Sequence, residues 1–290
     1  MEKHTRRSQG RGSAPDAAPH TRAGPAGTGR SLHSLGLADA PREHPLLYPG
    51  AWPAESGLLA GERMLPLDRL VHEDRVPVLA VGSNACPAQL RHKMAEYGIG
   101  SPVPMVRARV TGVDIGVSAH VSRMGYVSAS PVAAPGRVRE LFVIWLDAEQ
   151  LAVIDASEGV PVPAGNYDRA WLPSPGLRVE LADGTGLRGA YAYVNRHGVL
   201  HDGTGLPRPH TEQRALLAGL LAGSPALREL FGTTPEEFSA RARADRLRCA
   251  LGTRLFAEEG RVMPSGLERY VGPQQTGSPG TGWSLAPPRI

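Results

Sequence analysis

Apolar residues fall along the chain in short runs. Val76-Pro77-Val78-Leu79-Ala80-Val81 is apolar without interruption and stops at Gly82-Ser83-Asn84. A short apolar run bounded by breakers predicts a strand covered on both faces. Gly82 permits a turn where a Cβ would obstruct, and Pro87 suits a first helical position because its missing N–H is not needed there. Leu90 and Met94 then lie four apart, on one helix face. A strand–turn–helix corner of this kind leaves backbone N–H groups at the turn, whose partial positive charge suits a carboxylate or a developing oxyanion.

A period of two appears downstream. Val106, Ala108 and Val110 share one face of a predicted half-exposed strand over 106–118. Further strands are predicted over 125–131, 138–146, 167–172, 177–181 and 187–194, with Asp183-Gly184 as a hairpin turn. Asp147 and Gln150 form a capping box that opens a helix ending at Gly159, a left-handed terminator. Beyond residue 200 the pattern turns helical: Leu216, Leu217, Leu220 and Leu221 mark one helix over 211–221. Thr234-Pro235-Glu236-Glu237 opens another that runs to about residue 256. Residues 46–71, with Leu46, Tyr48, Trp52, Leu58 and Leu59, are expected to drape over the core.

Composition narrows the class. The 290 residues are 41% hydrophobic, enough for a sizeable core. Residues 1–45 are rich in Gly, Pro and Ser and have the signature of disorder. They carry seven basic side chains (Lys3, Arg6, Arg7, Arg11, Arg22, Arg30, Arg42) against four acidic ones (Glu2, Asp16, Asp39, Glu43), most of the net charge of +4. The remainder is nearly balanced, which argues against a folded nucleic-acid-binding face. No apolar run reaches the roughly 20 residues of a membrane helix, and 8–30 offers no apolar core for export after Arg6-Arg7. Cys86 and Cys249 are too few for a disulfide framework and lack metal-type spacing, so a reducing, cytoplasmic setting is expected. Lys3 and Lys93 are the only lysines amid many arginines, which reads as coding bias.

One polar residue breaks the helical pattern. Leu151 and Ile154 lie on one face of the helix after Asp147, and Glu158 falls four beyond Ile154, where a leucine is expected. A carboxylate there loses hydration, which disfavours its charged form and fits it to take and return protons. Two other chemistries are compatible with the residues. Cys86 at a helix N-terminus could act as a nucleophile, with His92 or His120 as base. His197 and His201 are four apart beside Asp202, a metal-ligand spacing, but Gly198, Gly203 and Gly205 make a loop there and no metal is expected.

Taken in order, Val81-Gly82-Ser83-Asn84, Ile154-Asp155-Ala156-Ser157-Glu158-Gly159 and Asn166-Tyr167-Asp168-Arg169 resemble the γ-glutamylcyclotransferase family. The resemblance spans roughly residues 76–210. That family carries a Tyr-Gly-Ser-Asn turn after its first strand and a Leu-Asp-x-x-Glu-Gly segment whose glutamate is the catalytic acid/base. The resemblance implies an α+β fold, a small mixed β-barrel with flanking helices, here with a C-terminal helical extension. It implies Glu158 as the catalytic residue, with Leu79, Ala80, Val81, Gly82, Ser83, Asn84 and Tyr167 around a small γ-glutamyl substrate. Intramolecular attack would release 5-oxoproline and a free amine, a lyase or acyl-transfer reaction without metal or cofactor. Two tyrosines of the family pattern are absent: Val81 takes the place of one, and 207–211 offers only His210 or Thr211 for the other. A non-catalytic small-molecule binding module on the same fold is the alternative. The expected organisation is a disordered tail (1–45), a covering segment (46–75), the core (76–200), the helical extension (201–271) and a flexible tail (272–290).

Overall fold

The computed structural model describes residues 29–272. Strands β1 (Arg30–Ser31), β2 (Gly57–Ala60), β3 (Arg63–Leu65) and β4 (Val76–Ala80) precede helix α1 (Pro87–Glu96). The long strands β5 (Val103–Val121) and β6 (Val127–Leu146) lead into α2 (Ala148–Glu158). Then come β7 (Tyr167–Pro173), β8 (Arg178–Leu181), β9 (Gly186–Leu187), β10 (Gly189–Asn195) and β11 (Val199–Leu200). Helices α3 (Gln213–Ala222), α4 (Pro225–Phe231), α5 (Pro235–Ala244) and α6 (Arg246–Glu258) follow, with β12 (Val262–Met263) after them.

The architecture is mixed α+β. The main sheet runs β1-β3-β2-β5-β6-β4-β10-β7, with β4 antiparallel to β6 and parallel to β10. The barrel expected from the resemblance does not form, because the two ends of this path, β1 and β7, do not pair. The edge strand β7 instead meets the 3-10 turn Glu268–Tyr270.

β4 therefore lies inside the sheet, and the turn after it opens between neighbours. Its pleat sends Val78 and Ala80 to the face packed with Leu90 of α1 and Ile154 of α2, and Leu79 and Val81 to the opposite face with Val143 and Ala192. Pro87 opens α1 as expected. The Asp147–Gln150 capping box forms, and Gly159 closes α2 with φ of 78°. These local signals fix where α2 ends, and Glu158 is its last residue.

Residues 29–45, expected within the disordered tail, are folded. Leu32, Leu37 and Ala40 are buried, and Leu32 and Leu37 join the core cluster of Val78 and Ile154. The Gly- and Pro-rich composition of 1–28 outweighed these few apolar anchors; residues 1–28 and 273–290 lie outside the described residues. Residues 46–75 do more than drape, since β2 pairs with β5 and β3 with β2. The helix expected to run to about 256 is two helices, broken at Asp245, whose carboxylate accepts from the N–H groups of Leu247 and Arg248 to start α6. The helical extension shares a core with the far ends of β5 and β6: Leu217, Phe231, Phe238 and Phe256 pack with Val117 and Val127.

Candidate active site

The turn after β4 is a 3-10 segment, Ser83–Ala85. Its own hydrogen bonds run from Ala85 N to Gly82 O and from Cys86 N to Ser83 O, both at 3.0 Å. That leaves the N–H groups of Gly82, Ser83 and Asn84 outside the turn's internal bonding, at the wall of a cavity of about 210 Å³. Glu158 reaches the same cavity from the end of α2, 74 residues further along the chain. The Asn84 amide donates from Nδ2 to Glu158 Oε1 at 3.1 Å. Two motifs distant in sequence thus meet at one hydrogen bond.

Glu158 is not the solitary carboxylate expected. Lys93 of α1 donates from Nζ to Glu158 Oε1 at 2.9 Å and to Asn84 Oδ1 at 2.8 Å. The side chains of the pair are 10% and 16% exposed, so the ammonium offsets part of the cost of taking the carboxylate out of water. Both contacts fall on Oε1, and Oε2 has no hydrogen-bond partner among the described residues. Lys93, read in sequence as a product of coding bias, is a member of the site. Its signal was positional: it lies three residues after Leu90, on the buried face of α1.

Of the sequence-predicted residues, Leu79, Val81, Gly82, Ser83, Asn84, Glu158 and Tyr167 border the cavity. Ala80 does not; it is 1% exposed on the other face of β4, as the alternation of the strand requires. The Asp-x-x-Glu-Gly and Tyr-x-Arg segments also lock together. Arg169 donates to Asp155 Oδ2 at 2.6 Å and the Tyr193 hydroxyl donates to Asp155 Oδ1 at 2.9 Å. Burial still pushes the Asp155 carboxyl above its usual range, against the lowering effect of Arg169. This buried network clamps the last turn of α2 to β7 and β10, and so aims Glu158.

A phenol reaches the turn from a distant segment. Tyr48, from the segment before β2, is buried against the Tyr126 ring at 4.3 Å, and its oxygen accepts from Ala129 N–H at 3.0 Å. Both rings border the cavity. Gly82 is required by this arrangement, since a Cβ there would lie 2.4 Å from the Tyr48 oxygen. Gly82→Ala is expected to cost about 1–3 kcal/mol by overpacking, read by urea unfolding. Adding Tyr48→Phe removes the clashing oxygen, so the double variant should lose less than the sum of the two.

The other candidates fare differently. Cys86 is fully buried and does not border the cavity; its Sγ contacts Asp39 O at 3.7 Å, and burial pushes the thiol up. His92 faces Glu43 at 3.1 Å, outside the cavity lining. His120 does border the cavity, but burial lowers it to about 3, which makes it a poor base. Thiol chemistry of the papain type therefore has neither an activated sulfur nor a base here. His197 and His201 are engaged separately: His197 Nε2 meets Asn166 Oδ1 at 3.1 Å, and His201 Nε2 meets Gly260 O at 2.7 Å. Among the described residues no cluster of His, Cys, Asp and Glu is arranged to hold a metal, and no helix is long and apolar enough to cross a membrane.

No protein-family model matches the sequence, and no curated protein matches it. Among solved structures, an uncharacterized protein from Homo sapiens is 17% identical, over 42% of this chain and 66% of that one, with a TM-score of 0.29. A protein from Arabidopsis thaliana is 13% identical over 55% of this chain and 89% of its own, at 0.31. A gamma-glutamyl cyclotransferase is 16% identical over 70% of this chain and 92% of its own, at 0.30. At these TM-scores the likenesses fix neither the family nor the activity of the chain.

Proposed function

We propose that the protein is a γ-glutamylcyclotransferase-like enzyme that cleaves a γ-glutamyl amide by internal attack. The single observation that carries the reading is the convergence of Glu158 on the Gly82-Ser83-Asn84 turn, through Asn84 Nδ2, inside one cavity. An acid/base beside a turn whose backbone amides can take an anionic group is what such a reaction needs.

In this reading the substrate's α-ammonium approaches Glu158 Oε2, the oxygen that Lys93 and Asn84 leave open. Glu158 takes one proton, and the freed amine attacks the γ-carbonyl carbon of the same molecule. The new C–N bond closes the five-membered ring and the carbonyl oxygen becomes an oxyanion. As the C–N bond to the departing amine breaks, that amine takes the protons shed by the attacking nitrogen, one of them delivered by Glu158. The products are 5-oxoproline and the protonated amine. The N–H groups of Gly82, Ser83 and Asn84 receive an anionic group of the substrate. Because attack is intramolecular, holding the folded-over conformer lowers the barrier by as much as about 7–11 kcal/mol. Lys93 and the Asp155–Arg169 clamp keep Glu158 in place for it.

The test is direct. The full chain is incubated with a panel of γ-glutamyl amino acids, peptides and amines, and 5-oxoproline is measured. Release from at least one member is the expected result. Binding of panel members without turnover would favour the binding-module alternative.

A further inference from the structure

The end of β10 fixes the proton of a buried histidine at the cavity wall. Asn195 Oδ1 accepts the backbone N–H of His197 at 2.8 Å. A backbone N–H can only donate, so this contact settles which end of the Asn195 amide is oxygen. Asn195 Nδ2 then meets His120 Nδ1 at 2.9 Å and donates to it. A ring nitrogen that accepts carries no proton, so the neutral ring holds its proton on Nε2. Burial, reinforced by the neighbouring His197, keeps the ring neutral throughout the working pH range. His120 is 3% exposed, Tyr167 meets it edge-on at a centroid distance of 5.4 Å, and both rings border the cavity that holds Glu158.

We propose that His120 is a catalytic residue of the reaction described above, its Nε2–H donating to the substrate's γ-carbonyl oxygen and holding the oxyanion. The assignment rests on the γ-glutamyl reading of the cavity. No proton leaves His120 at any step: the ring closes by C–N bond formation, negative charge gathers on the oxygen facing Nε2–H, and proton traffic runs through Glu158. A neutral imidazole is well matched to this task. Its N–H is fixed by neighbours before the substrate arrives, so the donor needs no reorganisation as charge develops. The turn amides after β4 are then free to take the substrate's carboxylate, and the two anionic centres have separate partners.

The experiment uses the full chain labelled with ¹⁵N-histidine. Nitrogen shifts and long-range ¹⁵N–¹H correlations should show His120 protonated on Nε2 and untitrated between pH 5 and pH 8. With Glu158→Gln protein and γ-glutamyl-alanine, the Nε2–H resonance should move on binding. His120→Phe, which keeps the ring but removes the donor, should lower kcat by about 10²–10³-fold. KM and the shape of the pH–rate profile should change little. An Nδ1–H tautomer, a ring that titrates in that range, a bound ligand that leaves the resonance unmoved, or a folded His120→Phe with wild-type kcat would overturn the assignment. Loss of 5-oxoproline release in Glu158→Gln but not in His120→Phe removes His120 alone. A wild-type chain that releases none from any panel member removes the γ-glutamyl reading, and His120's catalytic role with it.

Discussion

Glu158→Gln is expected to lower kcat for 5-oxoproline release by about 10²–10⁴-fold, the usual effect of deleting a general acid/base. KM should stay close to wild type. The amide oxygen of glutamine can still accept from Lys93 and Asn84, which now hold Glu158 Oε1 at 2.9 and 3.1 Å, so the wall of the cavity keeps its shape. It cannot take a proton from the substrate's ammonium. Glu158→Ala is the informative contrast. It removes the acceptor and leaves the Lys93 ammonium, only 10% exposed, with Asn84 Oδ1 as its remaining partner among the described residues. That variant should lose activity to the same extent and stability in addition. Steady-state kinetics and thermal melts on the pair separate the proton-transfer role from the pairing role. Undiminished kcat in a folded Glu158→Gln would remove Glu158 from the chemistry.

Much of this site was legible because its signals are local. The Asp147–Gln150 box and Gly159 set both ends of α2, and counting along the helix then put Glu158 where a leucine belongs. The apolar run into Gly82 placed β4 and its turn in the same way. The partners of these residues were not legible, since each comes from a distant segment through tertiary contact. Tyr48 arrives from a stretch with no periodicity, and only its meeting with Ala129 and Gly82 gives it meaning. Lys93 carried a usable signal, a charge on the same face as Leu90, which was set aside on composition. The break at Asp245 was missed because Thr234 already supplied a good start, and the next cap was hidden inside a helical composition. The barrel failed for another reason: closure depends on which strands end up at the edges, a property that no single segment encodes.

Acidification from pH 7 to pH 5 is expected to destabilise the fold by about 4 kcal/mol, through His120 and His210. Burial lowers His120 from its usual 6.5 to about 3 and His210 to about 4. A folded-state value below the unfolded one means that the unfolded chain binds protons first. Stability is therefore intact above pH 6.5 and falls as pH drops, until His210 protonates in the fold near 4 and His120 near 3. Each histidine removes about 1.4 kcal/mol per pH unit in that window, hence about 2 kcal/mol apiece at pH 5. His197, also lowered by burial, adds to the trend; Asp155, raised by burial, opposes it, because its protonation favours the folded state. For a chain of this size the loss corresponds to a Tm drop on the order of 10 °C. Melts at pH 7, 6 and 5 measure it. His210→Gln, which removes a titrating ring packed 5.4 Å from Tyr48, should retain only about half of the pH 7 to 5 difference. A Tm that is flat over this interval would mean that both rings reach water in the native state, and the fixed Nε2–H donor at the cavity wall would lose its physical basis.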